Sequence, residues 1–126
     1  MIDWSLYPNF SRHEFDSPDL ENSGDSMQEV TLDKIQRART SYGKAIHVTR
    51  GYSTINHNND IGGVKDSAHI KGHAVDISMS DSRERFILLM HLLKAGFTRI
   101  GVYNKHIHVD DDPNKDRNVL WVGTSK

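Results

Sequence analysis

The sequence contains no cysteine among its 126 residues and only three prolines. Without cysteine the chain can form no disulfide and can offer no thiolate to a metal, so any metal site has to use histidine, aspartate or glutamate. These ligands suit the zinc centres of enzymes as well as structural sites.

Long hydrophobic runs and basic leader segments are also missing. The longest apolar stretch, from Phe86 to Met90, is far shorter than the roughly 20 residues that span a bilayer. The first residues show no basic segment followed by an apolar run, which is the pattern of a secretory signal. We therefore expect no signal peptide, no membrane insertion and a protein that is cytoplasmic as synthesised.

An excess of charge of either sign is absent too. The 16 basic and 17 acidic residues give a net charge of −1, so no overall field draws the chain to nucleic acid, and we expect no nucleic-acid partner. Hydrophobic residues make up 36% and charged residues 26%, which is a polar but globular balance. The length fits a single domain over residues 1–126, and we expect a monomer.

The periodicity of the sequence predicts an α+β fold, in which a mostly antiparallel sheet carries flanking helices on one side. Residues 1–28 are expected to form an irregular N-terminal arm that Tyr7, Phe10 and Phe15 anchor to the core. Helical spacing predicts helices over residues 31–42, where Thr31 caps the start, and 86–95.

The predicted strands come from alternating patterns and are joined by turn-rich segments. Residues 51–66 are expected to form a long loop, and such a loop in a compact domain is usually functional. Residues 120–122 are expected to return to the core. Strands are predicted over residues 45–49, 73–78, 99–103 and 107–110.

The clearest functional signal is the segment from His106 to Asp110. Alternate side chains of a strand share one face, so His106, His108 and Asp110 are expected to point the same way. Three side chains that can bind a metal or carry a proton favour a functional site over an ordinary polar surface.

A second segment combines His69, at the end of the long loop, with Asp76 in the strand that follows. Asp76 stands between two apolar neighbours, and a buried carboxylate requires a cation because its desolvation is costly. Arg99 or a lysine is one candidate for that cation. A metal ion that also collects His69 and His108 is the other.

Two histidines and one carboxylate form the open three-ligand site that catalytic zinc uses, with the fourth position left to water. A structural zinc is more often closed by four protein ligands. If zinc binds here, hydrolysis is therefore the favoured function.

The same residues carry a family resemblance. Ser67, His69, Gly72, Ala74 and Asp76 stand at the spacing Ser-x-His-x-x-Gly-x-Ala-x-Asp, and His108-Val109-Asp110 follows. This order resembles the signature of the D-Ala-D-Ala carboxypeptidase family of zinc peptidases, which shares its fold with lysostaphin-type peptidases and the hedgehog signalling domain. Other matching segments extend the resemblance over most of the chain: residues 9–15, 48–53, 58–63 and 96–103, and Trp121.

The resemblance implies that His69, Asp76 and His108 hold one Zn²⁺ per chain. It also implies a substrate, the stem peptides of bacterial peptidoglycan, which a metal-activated water hydrolyses in an endopeptidase or a D,D- or L,D-carboxypeptidase reaction. Such an enzyme acts on the cell wall after release or delivery, as a phage- or prophage-encoded endolysin does.

One departure from the family pattern concerns the general base. Many members have an acidic residue three positions before the last ligand, where this chain has Lys105. We predict His106 as the proton carrier instead. Asp110 is its rival, or else the partner that orients His108.

A second departure lies in the substrate loop. The family often has Ser-Gly-Tyr-Arg where this chain has Arg50-Gly51-Tyr52-Ser53. Either Arg50 grips a substrate carboxylate from another direction, or the enzyme is an endopeptidase that needs no terminal carboxylate. We predict that Arg50, Tyr52 and Ser67 bind substrate.

The alternative function is a non-catalytic, zinc-containing binding or assembly module of the same fold. Lys105 in place of the usual acid is the feature in its favour. The two functions differ in whether hydrolysis of the cell wall accompanies zinc binding.

Overall fold

Five strands form one sheet in the order β1-β2-β4-β3-β5 in the computed structural model, which describes residues 1–125. All neighbouring strands run antiparallel except β3 and β5, which run parallel. The predicted, mostly antiparallel sheet is thus confirmed. The strands are β1 (Val48–Arg50), β2 (Ala74–Ser78), β3 (Arg99–Tyr103), β4 (His106–Asp110) and β5 (Val119–Gly123).

Two long helices, α1 (Glu29–Tyr42) and α3 (Ser82–Lys94), pack against each other and against the sheet. None of the helices in residues 1–125 is long and apolar enough to cross a membrane. Helices and strands share one hydrophobic core, which confirms the α+β fold. Its central members are Leu32, Ile35, Val75, Ile77, Leu88, Leu92, Ile100, Ile107 and Val109.

The start of α1 differs from the prediction. Thr31 lies inside the first turn and is fully buried, while Gln28 precedes the helix. The hydroxyl of Thr31 does not cap the helix because it donates to Oδ1 of Asp111 at 2.6 Å, and so ties α1 to the end of β4. At the other end, Gly43 closes the helix with a φ of 74°, a left-handed conformation that favours glycine.

The N-terminal arm contains three short 3₁₀ helices, Trp4–Leu6, Arg12–Phe15 and Ser23–Ser26. The carboxylate of Glu14 accepts a hydrogen bond from the backbone nitrogen of Ser11 at 2.8 Å and so holds the second of these turns. The three predicted anchors are all buried: Tyr7, Phe10 and Phe15.

The predicted loop over residues 51–66 contains a short helix, α2 (Ile55–Asp60). It begins where Oγ1 of Thr54 accepts a hydrogen bond from the backbone nitrogen of His57 at 3.1 Å. The buried side chain of Asn58 then anchors the following turn, because its Nδ2 donates to the carbonyl oxygen of Val64 at 2.8 Å. Side-chain hydrogen bonds at its start and after its end therefore stabilise a helix that the loop-like sequence does not suggest.

Residues 120–122 do not return to the core as expected. They belong to β5, an edge strand that pairs with β3 alone. Since an edge strand has a neighbour on one side only, Leu120 and Val122 stay 56% and 78% exposed. Trp121 points to the opposite face, where it is half-buried.

Candidate active site

The sheet face that carries no core residues borders an open cavity of about 590 Å³. The alternation of β4 turns Ile107 and Val109 into the core and the intervening polar residues toward this cavity. All five residues that the two sequence segments predicted for a functional site line the cavity: His106, His108, Asp110, His69 and Asp76.

The ring of His69 is fixed by the backbone beside it. Its Nδ1 lies 2.7 Å from the carbonyl oxygen of Gly51, and because a carbonyl only accepts, Nδ1 donates the proton. The lone pair of the neutral ring then lies on Nε2, which is buried and has no hydrogen-bond partner within residues 1–125. Burial lowers the pKa of His69 against the opposing effect of Asp76, which favours this neutral form.

Asp76 and His108 are directly opposed in the register of β2 and β4. Oδ1 of Asp76 lies 3.2 Å from Nε2 of His69 and 2.9 Å from Nδ1 of His108. One potential ligand atom from each residue thus lies within 4.8 Å of the other two. Arg99, the other candidate cation for Asp76, instead pairs with Asp110 at 2.7 Å.

The charges of Asp76 and His108 depend on each other. Burial alone would raise the pKa of Asp76, but the two histidines outweigh burial and hold that pKa well below its usual range. Burial alone would lower the pKa of His108, but hydrogen bonds to Asp110 and Asp76 raise it to about 9. A divalent cation held here would take the place of the proton on His108.

The donor set fits zinc. A buried ring nitrogen without a partner costs free energy, and a metal would supply the partner that Nε2 of His69 lacks. Two imidazole nitrogens and one carboxylate, open to a cavity on one side, match a catalytic zinc site better than a closed structural one. Fold and site together define an α+β protein with a candidate metal site open to a cavity, the arrangement typical of hydrolytic zinc enzymes.

Comparison with known proteins places the chain in a family. The Peptidase M15 family profile matches residues 8–110, and the chain therefore belongs to that family. It is also 34% identical over 86 residues to a zinc D-Ala-D-Ala carboxypeptidase of Streptomyces albus G. That match covers 64% of this chain and 33% of the relative, so the chain spans about a third of the relative's length. The resemblance seen in the sequence is thus confirmed.

Asp110 has both carboxylate oxygens engaged. Oδ2 accepts a hydrogen bond from Nε2 of His108 at 2.7 Å, and Oδ1 accepts one from Nε of Arg99 at 2.7 Å. The residue is 2% exposed. This arrangement orients His108 so that Nδ1 faces Asp76, as carboxylates beside ligating histidines commonly do.

His106 is held from two sides. Its ring stacks on that of Tyr103 with a centroid distance of 4.2 Å, and its Nδ1 lies 2.8 Å from Oγ of Ser125. These contacts leave Nε2 for a molecule bound in the cavity. Burial lowers the pKa of His106 although Asp76 opposes the effect, which favours the neutral form of the ring.

The predicted substrate residues have different positions. Arg50 and Ser67 line the cavity, and Oγ of Ser67 also accepts a hydrogen bond from the backbone nitrogen of His69 at 3.2 Å. Tyr52 is not among the cavity-lining residues and packs against the hydrophobic core. Its backbone nitrogen donates to the carbonyl oxygen of Phe15 at 2.9 Å, which turns the chain toward the N-terminal arm.

Arg99, Gly101 and Trp121 are not among the predicted catalytic, substrate-binding or metal-binding residues. Arg99 faces Asp110 across the β3–β4 hairpin, and Gly101 faces His108. Only two residues separate β3 from β4, and a two-residue turn fixes this register, so the length of the turn carries the signal for these pairs. Trp121 lies over Gly101, where an added Cβ would come within 2.6 Å of the indole nitrogen, and its ring centroid is 5.5 Å from that of His108.

Proposed function

We propose that this protein is a zinc-dependent peptidase that hydrolyses peptide bonds in the stem peptides of bacterial peptidoglycan. The observation that carries the proposal is the approach of Nε2 of His69 and Nδ1 of His108 to the same oxygen of Asp76 beside an open cavity. Membership of Peptidase M15 supports a peptide substrate. The activity named for the Streptomyces relative supports both zinc and a D-alanyl bond.

His69, Asp76 and His108 would hold one Zn²⁺ per chain. When bound, zinc supplies Lewis-acid chemistry, which polarises a carbonyl oxygen and lowers the pKa of water. The chain keeps the ligand atoms in place through the carbonyl of Gly51, which fixes His69, and through Asp110, which fixes His108.

His106 is the proton carrier in this proposal. Its neutral ring takes the proton of the attacking water on Nε2 and passes it to the leaving amine. The contacts with Tyr103 and Ser125 support this role, because they hold the ring while leaving that nitrogen available. Asp110 is the orienting partner of His108 and not the base, since both of its oxygens already accept hydrogen bonds.

Arg50 is the proposed anchor for a substrate carboxylate. Its Nε donates to Oγ of Ser53 at 2.9 Å, and its Nη2 donates to Oδ1 of Asn58 at 2.9 Å. The guanidinium of Arg50 therefore lies beside residue 53, where the family pattern often has its own arginine. A guanidinium has five N–H donors, so donors remain for a ligand in the cavity.

The rim next to Arg50 is apolar. Ile61 and Val64 line the cavity and are 43% and 68% exposed. Asn58 links this rim to Arg50, because it accepts from the guanidinium and donates to the carbonyl oxygen of Val64. A cation beside a small apolar surface suits the carboxylate and methyl group of a terminal alanine, which favours carboxypeptidase activity.

The experiment that tests this function is digestion of purified peptidoglycan, with products identified by mass spectrometry. The zinc-loaded chain is compared with the same chain after chelation and with zinc restored. His69→Ala is the site variant, and His47→Ala is its matched control, because His47 is exposed and lies outside the cavity lining.

We expect the zinc-loaded chain to release peptides. The chelator should abolish this release and added zinc should restore it. His69→Ala should lose the release, whereas His47→Ala should keep it. Release of terminal alanine alone identifies a carboxypeptidase, and internal cleavage identifies an endopeptidase. No release from several wall types, with one zinc bound per chain, would instead support the non-catalytic binding module.

A further inference from the structure

Arg99 joins three groups at one end of the sheet. Its Nε donates to Oδ1 of Asp110 at 2.7 Å, and its Nη1 donates to the carbonyl oxygen of Asp116 at 2.6 Å. Its guanidinium carbon lies 5.4 Å from the ring centroid of Trp121. A planar guanidinium suits this position because it donates in fixed directions while its face rests on an aromatic ring. The Arg99 side chain is 14% exposed, so most of it is removed from solvent.

Two of these groups contact the ring of His108. Asp110 accepts from its Nε2 at 2.7 Å, and the Trp121 ring lies 5.5 Å from it, centroid to centroid. Gly101 stands opposite His108 and leaves the space that Trp121 fills. Arg99 therefore contacts two groups that themselves contact His108, the carboxylate of Asp110 and the ring of Trp121.

The orientation of the His108 ring decides which atom faces Asp76. In the structure, Nδ1 of His108 lies 2.9 Å from Oδ1 of Asp76. A half-turn of the ring would put a carbon atom in the position of Nδ1 and would break the hydrogen bond from Nε2 to Asp110. A firmly held Asp110 therefore selects the orientation in which a ring nitrogen is available to a metal.

We propose that Arg99 is a positioning residue of the metal centre, which holds Asp110 so that Nδ1 of His108 stays directed at the metal. The inference rests on the proposed function, because it requires His108 to be a metal ligand. A merely structural Arg99 would stabilise the β3–β4 hairpin without any effect on metal affinity, and this difference can be measured.

The test is zinc affinity of the metal-free chain, measured by competition with a chelating indicator, together with its thermal unfolding. Arg99→Ala is expected to weaken zinc binding about 10- to 100-fold, the usual cost of losing a group that orients a ligand. Arg99→Lys should weaken it less, because an ammonium keeps the charge but cannot reproduce the fixed directions of the guanidinium. Arg37→Ala is the matched control, since Arg37 donates to the carbonyl oxygen of Ala95 at 2.9 Å on the helical side of the sheet.

A double-mutant cycle with Asp110→Asn tests the route of the effect. If Arg99 acts chiefly through Asp110, adding Arg99→Ala to Asp110→Asn should change zinc affinity little further. Independent, additive losses would overturn the inference, and so would a folded Arg99→Ala variant that binds zinc as tightly as the unmodified chain. If Arg99→Ala does not fold, Arg99→Gln is judged by the same two criteria. An unmodified chain that binds no zinc would defeat the proposed function itself, a result that the first measurement separates from failure of the Arg99 inference.

Discussion

Nδ1 of His69 donates a 2.7 Å hydrogen bond to the carbonyl oxygen of Gly51, the residue that directly follows β1. The bond fixes which ring nitrogen carries the proton, so the lone pair of Nε2 lies beside Asp76. Gly51 has no room for a side chain, because an added Cβ would lie 2.7 Å from Cα of Phe15. The packing of the N-terminal arm therefore helps to set the position of a proposed zinc ligand.

Gly51→Ala is expected to weaken zinc binding about 10-fold or more, since the carbonyl that orients His69 has to move. Zinc affinity of the metal-free chain, measured by competition, checks this. Gly43→Ala is the control: Gly43 has a φ of 74° and open space around it, so alanine there strains the end of α1 far from the site. Equal zinc affinity for Gly51→Ala and the unmodified chain would show that the carbonyl does not orient His69.

His106→Gln is expected to separate catalysis from metal binding. Loss of a general base usually lowers kcat by about 10²- to 10⁴-fold, while one zinc per chain should remain because His106 is not a proposed ligand. Turnover of a defined stem peptide and metal analysis of the same sample give the two values. His47→Gln, at an exposed position, should change neither. Near-normal turnover of His106→Gln would assign the proton transfer to another group.

The contact between Arg50 and Ser53 predicts that the two residues can be exchanged. Arg50→Ala should lower kcat/KM by about 10- to 100-fold for a peptide with a free terminal carboxylate, from the loss of a charged hydrogen bond of ~1.5–3 kcal/mol. The C-terminal amide of the same peptide should be affected less. Because Nε of Arg50 lies 2.9 Å from Oγ of Ser53, the double variant Arg50→Ser with Ser53→Arg should regain much of the loss. Equal losses for the acid and the amide would exclude carboxylate recognition by Arg50.

The surroundings of the Asp112 carboxylate predict that the free energy of unfolding depends on pH. Its side chain has no exposed surface, and its Oδ2 accepts a hydrogen bond from Nζ of Lys71 at 2.9 Å. Burial alone would raise the pKa of Asp112, but hydrogen bonds from Lys71 and from the backbone of Asn114 outweigh it and lower that pKa. The carboxylate therefore contributes stability above its unfolded pKa of about 3.9, and the contribution is lost as pH falls through the lower folded pKa.

Asp112→Asn should accordingly reduce the free energy of unfolding at neutral pH, and the difference from the unmodified chain should shrink below about pH 4. Urea unfolding across this range gives the comparison. Asp60→Asn, at the exposed end of α2, is the control and should have little effect at any pH. A difference that stays constant down to pH 3 would rule out the charged form of Asp112 as its source.

The features that follow from local pattern could be predicted from the sequence. Alternation over residues 106–110 was enough to put His106, His108 and Asp110 on one face, and all three line the cavity. The helix predicted over residues 31–42 ends where α1 ends, at Tyr42, because helical spacing is also a local feature.

The features that were missed depend on specific side-chain contacts and on strand pairing, which the periodicity of the sequence does not report. The short helix α2 relies on the buried amide of Asn58, which no local pattern reveals. The direction of Arg50 is set by a partner across a turn. Trp121 reaches His108 only because β5 pairs in parallel with β3, which brings the indole over Gly101. The Arg99–Asp110 and Gly101–His108 pairs, by contrast, could have been derived from the sequence by counting back from the hairpin turn.

Zinc at His69, Asp76 and His108 is tested most directly by diffraction from crystals grown with zinc, recorded on both sides of the zinc absorption edge. We predict one anomalous peak per chain, at about 2.0–2.2 Å from Nε2 of His69, a carboxylate oxygen of Asp76 and Nδ1 of His108. A peak held by other residues, or the absence of any peak from a chain saturated with zinc in solution, would contradict this assignment of the metal centre.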